Sequence, residues 1–132
     1  SKQVVANVMT YLQFYDYIND IKVRYQPLFV VWGVSDGFVL DKSCAINHVE
    51  PLFEPNQLID LQKIHRQYYN IGQDIGLFNA LKSYGYYTGI QIHDALVDAL
   101  VLHHIFCQFK SNIEQNQEFP FKQNYQHILD NR

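Results

Sequence analysis

Positive charge is scarce in this sequence. Ten lysines and arginines face thirteen aspartates and glutamates, leaving a net charge of −3. That balance excludes the broad basic field behind strong non-specific nucleic-acid binding, so any nucleic acid must be held locally, by a metal site and a few polar groups. Cysteine is nearly absent. Cys44 and Cys107 lie far apart and outside any Cys-x-x-Cys pattern, which excludes a disulfide framework; one disulfide stays open, and two reduced thiols in a cytoplasmic protein is the preferred reading. No signal peptide is evident in Ser1–Thr10, and no apolar run approaches the roughly 18–20 residues of a membrane span. A soluble, cytoplasmic chain with no membrane association is expected. Gly-rich phosphate loops, Gly-x-Ser-x-Gly elbows and internal repeats are missing too.

What is present is enough for one folded domain. The 132 residues are 48% apolar and include ten tyrosines and nine phenylalanines, a composition that favours a packed core over disorder. Val4, Val5, Val8, Leu12, Tyr15 and Ile18 recur at three- and four-residue steps, which predicts an amphipathic helix over Val4–Ile18. After Pro27, the run Leu28 to Trp32 suits a strand covered on both faces. Gly33 ends it, and Ser35-Asp36 are candidate caps for a short helix through Leu40. Ala45–Asn56 reads as a loop around a short buried strand. A helical segment follows Leu58–Leu61 to about Tyr69, with Asp60 as a cap; Asp74 is expected to cap a helix from Ile75 to Tyr84, with Gly85 beyond its end. The most apolar helix is expected over Asp94–Phe109. Lys110–Glu118 is polar, and Phe119–Arg132 has aromatics enough to pack. The domain expectation is therefore 1–110, with 111–132 as a C-terminal extension.

Three residues attract chemical attention. Asp98 is the only charge in Ala95-Leu96-Val97-Asp98-Ala99-Leu100-Val101-Leu102. On a helix it shares a face with Ala95, Leu102 and Ile105, so its carboxylate needs a cation, a hydrogen-bond cluster or a metal. His93 lies five residues earlier, a turn of about 140° on a helix, and meets Asp98 only if it sits on the loop before the helix. Asp36 follows a strand and opens a helix, the end of an α/β sheet where ligands gather, though Asp is also an ordinary helix cap there. His103 and His104 point in different directions and do not form a ligand pair. Tyr84, Tyr86 and Tyr87 suit either base stacking or packing.

The segments Phe29-Val30-Val31-Trp32-Gly33-Val34-Ser35-Asp36, Ile75-Gly76-Leu77-Phe78-Asn79-Ala80-Leu81 and His93-Asp94-Ala95-Leu96-Val97-Asp98-Ala99 together resemble the DnaQ-like (DEDDh) 3′–5′ exonucleases. The Trp-Gly-x-x-Asp form of the first is similar to the histone-mRNA 3′-end exonuclease branch. The resemblance covers the chain from the first helix to about Phe109 and implies an α/β, ribonuclease-H-like domain with a sheet flanked by helices. It also implies hydrolysis at the 3′ ends of single-stranded RNA or DNA, with two divalent cations, Mg²⁺ or Mn²⁺. By the resemblance Asp98 binds one metal, Asp36 supports the second, and His93 is the general base. Hard cations want carboxylates, a metal pair can clamp attacking and leaving oxygens, and a neutral imidazole can take a proton from water. The family's first motif, Asp-x-Glu on the first strand, occurs nowhere in these residues. The expectations that follow are an N-terminally truncated domain, an incomplete two-metal site and negligible activity alone. Unpaired sheet edges would then invite a homo-oligomer or a complementing chain. The alternative is a non-catalytic exonuclease-like module that binds protein or nucleic acid.

Overall fold

The computed structural model describes residues 9–86 and 94–115. The chain divides into two compact units, Ser1–Ile59 and Asp60–Arg132, and its elements are helices with one small parallel two-stranded sheet, an α/β-like arrangement.

The first unit begins with helix α1, Tyr11–Tyr25. Thr10 is its N-cap in a full capping box: its hydroxyl accepts from the Gln13 amide at 3.2 Å, while the Gln13 side chain accepts from the Thr10 amide at 2.9 Å. The expected Val4–Ile18 helix is thus shifted along the chain; Val4, Val5 and Val8 lie outside the described residues. The inward stripe is Tyr11, Phe14, Tyr15 and Ile18, and Leu12 is exposed rather than part of it. Three polar contacts run from this stripe. The Tyr11 hydroxyl lies 3.0 Å from Cys44 Sγ, the Tyr15 hydroxyl donates to the Glu50 carbonyl at 2.9 Å, and Lys22 Nζ donates to the Leu52 carbonyl at 2.5 Å.

Strand β1, Phe29–Val31, is shorter than the expected run, and its residues are half-buried, so the expectation of a strand covered on both faces is not met within this unit. Gly33, buried at φ 96°, makes the turn that follows, a conformation that side-chain-bearing residues rarely adopt. Helix α2, Ser35–Ile46, is twice the expected length. Neither Ser35 nor Asp36 caps it: Val34 is the N-cap without a side-chain hydrogen bond, and Asp36 lies in the first turn. The loop after α2 contains no strand before β2, Leu58–Asp60, which pairs with β1.

The second unit holds helices α3 (Leu61–Tyr68), α4 (Leu77–Ser83) and α5 (Ala95–Glu114). Asp60 caps α3 as expected, accepting from the Lys63 amide at 3.3 Å. Asp74 does not cap α4; it pairs with Arg66 at 3.4 Å, and Gly76 is the N-cap. Gly85, at φ 88°, ends α4 in the left-handed turn anticipated for it, with the Tyr86 amide returning to the Leu81 carbonyl at 3.3 Å. Helix α4 packs on α5. The core is Leu61, Ile75, Phe78, Ala80, Leu81, Tyr84, Ile105 and Phe109, with His65, Ser83 and Asn112 as buried polar members. Helix α5 runs through Glu114, five residues beyond the expected end.

Candidate functional site

Asp98 sits in the first turn of α5. Asp94 sets that turn: its Oδ1 accepts from the Val97 amide at 3.0 Å, and its carbonyl accepts from the Asp98 amide at 2.9 Å. The Asp98 side chain is then placed near the helix N-terminus, where the exposed amide dipoles favour negative charge. One carboxylate oxygen, Oδ1, is buried and has no hydrogen-bond partner among the described residues. Nor does any lysine or arginine among them pair with it, since their ion pairs are Arg24–Asp20 and Arg66–Asp74. A buried carboxylate oxygen without a donor costs free energy, and a hard cation or a proton donor would remove that cost.

Asp36 is an exposed carboxylate in the first turn of α2. It belongs to the first unit and Asp98 to the second, and His93 lies outside the described residues, as does Tyr87. The donor chemistry of Asp98 and Asp36 fits divalent cations that prefer oxygen. The described residues do not close such a site themselves, since none of their groupings brings together three or more His, Cys, Asp or Glu side chains able to hold a metal.

Tyr84 packs rather than stacking on a ligand. It is buried, and its hydroxyl lies 2.8 Å from His65 Nε2. His65 was not singled out in the sequence, yet it is a buried polar group at the centre of an aromatic cluster in this unit. It is 1% exposed and its ring contacts Tyr69, Tyr84 and Phe109 at 5.0, 5.8 and 5.4 Å between centroids. Burial lowers its pKa from 6.5 to about 4 and pushes the Tyr84 phenol up, so both are neutral near pH 7. The available signal was the four-residue step from Leu61 to His65, which puts the imidazole on the inward stripe of α3. His104 has a buried Nε2 with no partner among the described residues, and its ring stands edge-on to Tyr86 at 4.4 Å and 86°.

Among known proteins, the chain is similar to a protein of Bacillus subtilis (strain 168) described as "Probable 3'-5' exonuclease KapD", with 25% identity over 119 residues. The match covers 90% of this chain and 56% of the relative's length. No family model matches the chain, and no solved structure matches it. Among the described residues, no helix is long and apolar enough to cross a membrane.

Proposed function

We propose that these residues form part of a metal-dependent 3′–5′ exonuclease of the DEDDh type, with a ribonuclease-H-like fold, acting on single-stranded RNA or DNA. The observation that carries the reading is the buried Oδ1 of Asp98 in the first turn of α5, which has no hydrogen-bond partner among the described residues. It occupies the position at which the His-x-Ala-x-x-Asp resemblance puts a metal ligand, and the similarity to a protein described as a 3′–5′ exonuclease supports it.

Asp98 would hold one cation and Asp36 would support a second. Such cations polarise a phosphodiester and stabilise the charge that builds on its oxygens. His93 would accept a proton from the attacking water, and its pKa must then lie near the working pH. The family's remaining carboxylates, an Asp-x-Glu pair, do not occur within these 132 residues. They would have to come from further chain or from a partner, so this polypeptide alone should hydrolyse no measurable amount of a 5′-labelled single strand.

The test has two arms. In Mn²⁺ titrations of this chain, paramagnetic broadening should centre on the first turn of α5 and vanish in Asp98→Asn. Where these residues are joined to an Asp-x-Glu strand, 3′-end trimming should appear, stop with EDTA or Asp98→Asn, and fall roughly 10²–10⁴-fold in His93→Ala. Mn²⁺ binding indifferent to Asp98 would sink the proposal.

A further inference from the structure

Helix α5 carries a second chemical feature, on the side away from Asp98. His103 Nε2 and Cys107 Sγ are 3.7 Å apart, one helical turn from each other, and both side chains are exposed. Zinc–nitrogen and zinc–sulfur bonds of about 2.1 and 2.3 Å at a tetrahedral angle separate the two donors by about 3.6 Å. The pair is therefore spaced as one edge of a zinc tetrahedron, without rearrangement. Among the described residues of one chain this pair belongs to no larger cluster of metal-binding side chains. A closed structural zinc site needs four.

The same stripe supplies the other half. Leu96, Leu100, His103, Cys107, Lys110 and Glu114 recur at alternating four- and three-residue steps along α5. Leu96 and Leu100 are 69% and 61% exposed, so this is a coiled-coil type seam with no partner among the described residues. Two copies packed antiparallel about a two-fold axis that crosses the exposed seam midway between His103 and Cys107, level with Ile105 along the helix, would put His103 opposite the partner's Cys107, so that two histidines and two cysteines converge. The next layers would put Leu100 against the aliphatic stem of the partner's Lys110, and Leu96 against the partner's Glu114. That glutamate would then lie by the N-terminal end of the opposite helix, where negative charge is favoured. We propose that α5 is a zinc-bridged, two-fold dimerisation helix with His103 and Cys107 of each copy as ligands. Each Cys107 binds as thiolate and releases its proton to solvent, and the contact is isologous, so it closes at two copies.

The proposal is independent of the nuclease reading. Nine residues separate Asp98 from Cys107, half a rotation about the helix axis. In sedimentation velocity under a non-chelating phosphine reductant, the chain should be monomeric without zinc and double in mass when one zinc is added per two chains. Cobalt in place of zinc should give a thiolate-to-cobalt charge-transfer band and the intense visible bands of a tetrahedral ion. Cys107→Ser and His103→Ala are surface changes, checked for folding by circular dichroism, and each should abolish both the mass change and the band. Asp98→Asn should retain them. Zinc bound by a monomer, a dimer that forms equally well without metal, or no response to zinc would each overturn the assignment.

Discussion

A histidine with 1% of its surface exposed, ringed by Tyr69, Tyr84 and Phe109, can take up a proton only at the cost of burying a charge. His65 therefore ties the stability of the second unit to pH. Above pH 6.5 neither the folded nor the unfolded chain protonates it. Between pH 6.5 and its folded pKa of about 4, only the unfolded chain does, so stability falls as pH drops and levels off below about pH 4. The full effect is about 3 kcal/mol. Urea midpoints at pH 7 and pH 4.5 should differ accordingly, and His65→Leu should reduce the difference; equal slopes in both proteins would refute the assignment. Tyr84→Phe removes the hydroxyl 2.8 Å from His65 Nε2 and should cost about 1–2 kcal/mol at pH 7. A histidine on a short apolar stripe gives little warning of this role. Its charge state depends on Tyr84 and Phe109, which are distant in sequence, and the residue pattern of α3 says nothing about them.

At the scale of elements, local chemistry was legible at several helix ends where a side chain acts on its own backbone, but not at the Thr10 capping box of α1. Asp60 and Asp94 cap the helices they precede, and Gly85 takes the left-handed turn after α4. Asp94→Ala should expose the Val97 amide to an unmet hydrogen bond and cost about 1 kcal/mol. Gly85→Ala at φ 88° should cost roughly 1–2 kcal/mol. Denaturant unfolding checks both, and an unchanged midpoint in either would show that the terminus is not stabilised as described. Asp74 misled because an aspartate ahead of an apolar run reads as a cap, whereas Arg66, in the last turn of α3, competes for it as an ion pair. The end of α5 was misplaced for a related reason. Lys110, Ser111 and Glu114 look like loop, but Asn112 is buried and donates to the Tyr69 hydroxyl at 3.3 Å, so the inward stripe continues through a polar residue. Periodicity counted on apolar residues alone misses that continuation. The length of α2 was hidden in the same way, because Asp41, Lys42 and Ser43 interrupt the apolar pattern on a largely exposed helix.

For the whole molecule, the candidate site was readable as residue types in order, while its assembly was not. Asp98 has one carboxylate oxygen buried without a cationic partner among the described residues, although Ala95, expected on the same inward face, is exposed. Asp36 sits in the other unit and His93 outside the described residues, so the convergence of the three stays part of the proposal. Charge gives that proposal a consequence distinct from catalysis. With thirteen acidic residues against ten basic ones, a single strand held by this chain should owe its binding to metal ions bridging carboxylates and phosphates rather than to released counterions. Each phosphate contacted by a lysine or arginine contributes about −0.7 to the slope of log affinity against log salt for single strands. Filter binding or fluorescence anisotropy between 50 and 200 mM salt, conditions over which cationic grooves lose orders of magnitude, should therefore give a shallow slope, with magnitude below about 2. EDTA or Asp98→Asn should remove the binding at every salt concentration. A slope steeper than about −4, unaffected by chelator, would mean that a basic groove holds the strand. The buried oxygen of Asp98 would then need a proton donor rather than a cation to account for it.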